Sequence, residues 1–173
     1  MNIVVLNGSP KGERSVTLRS IELVEHLLSD QTLDVDTIHI ASRINKIEGD
    51  REELEAIVER LQRADLVLWA TPLYVFTVPS QYMRFIELLF ERDVVEALRG
   101  KPTAVLTSSI KFFDCTAHDY MRSICEDLEM RYLGAYSAEM HDLLDASERE
   151  RLFSFFIELL DDVESRRPAQ ARA

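Results

Sequence analysis

Between residues 2 and 165, short apolar runs alternate with stretches whose apolar residues recur at helical spacing, which commits the chain to an α/β architecture. Ile3, Val4, Val5 and Leu6 form a β-branched run of the kind buried on both faces of a parallel sheet. Asn7, Gly8, Ser9 and Pro10 stop that run, and from Ser15 onward Val16, Leu18, Ile21, Leu23, Val24, Leu27 and Leu28 cover one broad helical face. Residues 33–40 alternate apolar and polar side chains as a strand does, and Asp50 with Glu53 then caps a helix carrying Leu54, Ile57, Val58 and Leu61. The same signals predict strands at 65–70, 103–107 and 133–138. They predict helices at 81–90, from Thr116 to about Arg131, and from a capping pair of Ser147 and Glu150.

Each crossover between parallel strands is right-handed and must bury its apolar stripe, so the pattern predicts a five-stranded parallel sheet in the order 2-1-3-4-5, covered on both faces. In that order the chain reverses direction beside strand 1 and opens a crevice at the carboxyl ends of strands 1 and 3, where ligands of open α/β sheets bind. Residues 1–165 are expected to form one domain. Residues 166–173, RRPAQARA, have no apolar face and are expected to be a disordered tail.

Charge and composition exclude several classes. A net charge of −11 opposes nucleic-acid and anionic-lipid binding. No apolar run approaches the ~20 residues that span a bilayer, and no charged leader precedes the first strand, so a cytoplasmic protein is expected. Cys115 and Cys125 are too few for a disulfide framework or a cluster, and the four histidines show no metal-ligand spacing. Cys125 and Arg131 have a phosphatase-like separation, but Glu126, Asp127 and Glu129 between them would repel phosphate.

Two loops converge on the crevice. In the first, the hydroxyls of Ser9, Ser15 and Thr17 and the ammonium of Lys11 surround the start of a helix, whose open N–H groups favour an anion. The segment has neither GxGxxG nor GxxxxGK[ST], which disfavours dinucleotide and triphosphate sites. It reads equally as a tight βα turn capped by Ser15. The second loop, Thr71-Pro-Leu-Tyr-Val-Phe-Thr-Val-Pro79, is apolar where a solvent-facing loop is normally polar, so something should cover it. A flat, partly polar ring would fit, and so would the following helix or a second subunit. Trp69 lies inside a predicted buried strand and belongs to the core. His118 can donate near the crevice or simply support its loop, and Lys111 can meet an anion or Asp114.

GSPKGERSVTL together with ADLVLWATPLYVFTVPSQYMRFIELL resembles the NAD(P)H-dependent FMN reductases of the flavodoxin-like superfamily. TSSIKFFDCTAHDYMRSICEDLEM and SAEMHDLL are similar to the flavodoxin-like module of iron-sulfur flavoproteins, without their cysteine clusters. The resemblance covers roughly residues 1–160 and implies a flavodoxin-like three-layer sandwich. It implies that Ser9, Lys11, Ser15 and Thr17 contact the FMN phosphate, that Pro72, Leu73, Tyr74, Val75 and Phe76 line the ring, and that Thr107, Ser108 and Ser109 border its other side. The glycine-rich turn that many members carry after strand 4 is replaced by Ile110, Lys111, Phe112 and Phe113.

The resemblance thus implies an FMN-dependent oxidoreductase that takes hydride from NAD(P)H and passes electrons to a small-molecule or protein acceptor. It also implies a homodimer. A flavodoxin-type electron carrier and a cofactor-free interaction domain are the alternatives, and flavin binding followed by bleaching with nicotinamide separates the three.

Overall fold

The computed structural model describes residues 1–29, 32–110, 114–139 and 141–166. All but Arg166 of the expected tail, and the Lys111-Phe112-Phe113 segment, therefore lie outside the described residues. Strands β1 (Asn2–Asn7), β2 (Asp34–His39), β3 (Leu66–Pro72), β4 (Pro102–Ser109) and β5 (Arg131–Glu139) form one sheet. Their order is β2-β1-β3-β4-β5, and every neighbouring pair is parallel. The register runs evenly except at β4 and β5, where it shifts between Thr103 and Ala104.

Helices α1 (Val16–Leu27) and α7 (Ala146–Glu164) cover one face of the sheet. On the other lie α2 (Ile44–Gly49), α3 (Arg51–Arg63), α4 (Ser80–Glu91), α5 (Val95–Leu98) and α6 (Asp114–Asp127). Successive strand residues point to opposite faces, so Ile3, Val5, Leu66 and Leu68 pack with α1 and α7 while Val4, Leu6, Val67 and Trp69 pack with the second helical layer. The result is the three-layer flavodoxin-like sandwich. None of the described helices is long and apolar enough to cross a membrane.

Several boundaries differ from those the sequence predicts. The last helix is capped by Asp145, which accepts from the N–H groups of Ser147 and Glu148, rather than by Ser147. Helix α6 starts at Asp114, before Thr116, and ends at Asp127, because β5 already begins at Arg131. β3 and β4 run on through Pro72 and Ser109, so Ser108 and Ser109 extend the strand that ends at the expected Thr107 rather than opening a loop. The one-turn helix α5 and the short α2 had no visible periodicity of their own.

Candidate functional site

The crevice at the carboxyl ends of β1 and β3 holds a cleft of about 150 Å³, lined by Ser9, Lys11, Ser15 and Val16 on one side and Pro72, Leu73, Tyr74, Ser108, Ser109 and Ile110 on the other. Eight of the twelve site residues inferred from the sequence are among these. Thr17, Val75, Phe76 and Thr107 are not.

The side formed by the loop after β1 is shaped by backbone constraints. Gly8 follows β1 so closely that a Cβ there would sit 2.7 Å from Thr71 Oγ1 and 2.8 Å from Tyr82 Cγ, while its N–H donates to the Ala70 carbonyl at 2.7 Å. The chain then turns, with the Gly12 N–H donating to the Ser9 carbonyl at 3.1 Å, and Gly12 adopts φ +56°. Ser9 accepts the Lys11 N–H on its hydroxyl at 3.3 Å, which leaves the hydroxyl hydrogen as a donor. Ser15 occupies the N-cap position of α1, yet its side chain makes no capping bond, and its buried Oγ has no hydrogen-bond partner. The first N–H groups of α1 thus lack a side-chain cap, and a buried hydroxyl beside them is unsatisfied.

Thr17 is placed differently from Ser9 and Ser15. It is fully buried, and its Oγ1 lies 2.6 Å from Ser108 Oγ, so the two hydroxyls satisfy each other and join α1 to β4. Thr107 Oγ1 lies 2.8 Å from His118 Nε2, and Ser109 Oγ donates to Asp114 Oδ2 at 3.2 Å. The hydroxyls at the end of β4 are therefore all engaged with protein groups. Burial lowers the pKa of His118 below its ordinary value, against the opposing pull of Asp114 and Asp119. His118 supports the strand end through Thr107.

On the other side of the cleft the Ser108 carbonyl accepts the Leu73 N–H at 2.9 Å, fixing the start of the apolar loop. The Tyr74 N–H donates to the Thr77 carbonyl at 2.9 Å, closing a tight turn whose central residues, Val75 and Phe76, take φ of 51° and 69°. Both are left-handed, which is rare for a β-branched residue. The turn pushes its side chains outward: Val75 is 80% exposed, Tyr74 47% and Phe76 45%, and Ile110 across the cleft is 64% exposed. Trp69 is fully buried, stacked edge-on against Tyr82 with ring centroids 5.8 Å apart, and belongs to the core.

Sequence reasoning passed over Asn7, which it used only as a strand stop. Asn7 is fully buried at the end of β1, beneath the loop. The available signal was an amide directly after four apolar residues and directly before Gly8. A larger hollow of about 730 Å³ lies at the opposite, amino-terminal edge of the sheet, between Asp65, Arg99, Lys101 and Arg131. Its Lys101 ammonium is bound to the Gln62 and Ala64 carbonyls, and Arg99 is paired with Glu96 and Glu129, so these cations are already engaged.

A family model described as NADPH-dependent FMN reductase matches residues 1–143. Over 141 residues, 62% of this chain and 68% of the relative, the sequence is 27% identical to FMN-dependent NADH:quinone oxidoreductase 2 of Pseudomonas syringae pv. tomato. Among solved structures, the flavoenzyme NAD(P)H:(acceptor) oxidoreductase of Paracoccus denitrificans superposes with a TM-score of 0.75 at 18% identity, over 95% of this chain and 97% of that one. The apo form of an NADH:FMN oxidoreductase gives 0.72 at 20% identity, over 91% and 87%. These two likenesses show the fold.

Proposed function

Since the chain belongs to the NADPH-dependent FMN reductase family and is therefore an FMN-dependent NAD(P)H oxidoreductase, we propose that the cleft between Ser9 and Tyr74 is its FMN site. The observation that carries this assignment is the buried, unpartnered Oγ of Ser15 beside an uncapped helix start. Such a hydroxyl costs stability unless a ligand accepts from it, and a phosphate at a helix N-terminus is the anion that the geometry favours. Ser9 and Lys11 would add a donor and a positive charge, while Pro72, Leu73 and Tyr74 would pack against the ring. Thr17, Thr107, Ser108 and Ser109 would hold the wall in place through bonds to their own neighbours.

When bound, FMN supplies the redox chemistry, accepting hydride from the nicotinamide and releasing electrons to the acceptor. The protein's share is to seat and orient the cofactor. At about 150 Å³ the cleft is smaller than the ~300–1,000 Å³ of enclosing ligand pockets, so the flavin would be only partly enclosed, with a ring face accessible to nicotinamide and then to acceptor. Quinones are the first acceptor class to test, given the description of the Pseudomonas relative. The exposed Tyr74, Val75, Phe76 and Ile110 form an apolar rim, which supports a homodimer that shares it.

The test is anaerobic titration of the FMN-reconstituted protein with NADH and NADPH. Binding followed by bleaching of the visible flavin band is expected. Binding without bleaching would favour the electron carrier, and absence of binding would remove both.

A further inference from the structure

Asn7 ends β1 with its side chain fully committed. Its Oδ1 accepts the Ser9 N–H at 3.0 Å, one Nδ2 hydrogen reaches the Gly12 carbonyl at 3.1 Å, and Nδ2 lies 2.9 Å from His39 Nδ1. The Asn7 main-chain carbonyl accepts the N–H of Ile40 at 3.0 Å, directly after His39, the last residue of β2 and the register partner of Asn7. These contacts fix the chemistry. A backbone N–H can only donate and a carbonyl can only accept, so the amide has one orientation, with Nδ2 toward Gly12. Its remaining hydrogen then faces His39 Nδ1, which must be an unprotonated acceptor.

We propose that Asn7 and His39 are positioning residues of the phosphate loop. Asn7 ties both limbs of the Ser9–Gly12 turn to the end of β1, so that Ser9, Lys11 and Ser15 converge on one cleft. His39, presenting a bare Nδ1 from the edge strand β2, holds the amide in that orientation. Neither residue lines the cleft, so their effect is transmitted through the loop. The identity of the loop's ligand rests on the FMN reading given above, whereas the bracing of the loop by Asn7 and His39 does not.

The test compares FMN with riboflavin, which lacks the phosphate, by fluorescence quenching on the wild-type protein and on His39→Leu and His39→Gln. Loss of one acceptor should weaken FMN binding by His39→Leu about fivefold to tenfold and change riboflavin binding by less than about twofold. His39→Gln restores an acceptor oxygen and should return FMN affinity to within about twofold of wild type. Equal losses for the two flavins, no loss of FMN affinity, or no rescue by glutamine would overturn the assignment. If the wild type binds neither flavin, the FMN reading fails by itself. The loop is then read by amide hydrogen exchange over residues 8–15, which His39→Leu should accelerate relative to β3 and His39→Gln should not. Unchanged exchange in His39→Leu overturns the proposal.

Discussion

Ser15 and Thr17 stand two residues apart at the start of α1 and have opposite consequences. Ser15 Oγ is buried without a partner and Thr17 Oγ1 is buried against Ser108 Oγ. Ser15→Ala removes an unsatisfied group and no capping bond, so the ligand-free protein should gain about 1 kcal/mol in urea denaturation while FMN binding loses roughly 1.5–3 kcal/mol. Thr17→Val leaves Ser108 unpaired and should cost roughly 1–3 kcal/mol of folding stability, with a smaller effect on FMN. Fluorescence titration and denaturation on the same two variants check both signs. Equal behaviour of the pair would contradict the placement of the phosphate at Ser15. His118 adds a pH dependence. Its folded pKa is lowered by burial, so the unfolded chain takes up the proton first as pH falls. Its contribution is therefore present above the unfolded value near 6.5 and is lost as pH falls from there through the folded value. Removing the titration with His118→Gln should flatten the fall of the urea midpoint as pH drops below about 6.5; an unchanged slope would show that other groups carry it.

At the scale of elements, the close approach of β1 to β3 and the turn after β3 decide where the cleft lies. Gly8→Ala would force a methyl within 3 Å of Thr71 Oγ1 and Tyr82 Cγ and should destabilise by about 1–3 kcal/mol, as overpacking does. The left-handed pair Val75 and Phe76 carries strain of about 1–2 kcal/mol per residue, so replacing them with Asn-Gly, which suits such a turn, should raise the urea midpoint. A lower midpoint would mean that the two side chains contribute more by contact than their backbone costs. The sheet order and both loops were legible because burial dictates the periodicity of Ile3 to Leu6 and of Leu54 to Leu61, and because Pro72 to Val78 is apolar in a loop. The left-handed turn was not legible, since Val-Phe is a poor sequence for it and the Tyr74 to Thr77 hydrogen bond that closes it leaves no sequence signal. Asn7 was not legible either, because an amide after a strand looks like a stop until Ser9, Gly12 and His39 are seen around it. The α6 start escaped because Asp114 begins the helix ahead of Thr116, the residue with the better capping signature.

For the whole molecule, the charge of −11 and the apolar rim act against each other. Two copies approaching through Tyr74, Val75, Phe76 and Ile110 bring two acidic bodies together, while removing that rim from water favours contact. Repulsion is long-ranged at low salt, where the Debye length is about 30 Å at ~0.01 M, and short-ranged at ~0.15 M, where it is about 8 Å. Burial of apolar area changes little over that range. Sedimentation at micromolar concentration should therefore show the dimer fraction rising from ~0.01 M to ~0.15 M salt, the reverse of an association driven by ion pairs. Val75→Asp places a charge at the centre of the rim and should return the protein to the 20.0 kDa monomer at both salt concentrations. Phe90→Asp, the loss of another exposed apolar side chain, sits at the carboxyl end of α4, the end of that crossover helix remote from the carboxyl ends of the strands, and should leave association unchanged. A monomer at every salt concentration would sink the shared rim, and dimers that weaken with salt would move the interface to charged surface elsewhere.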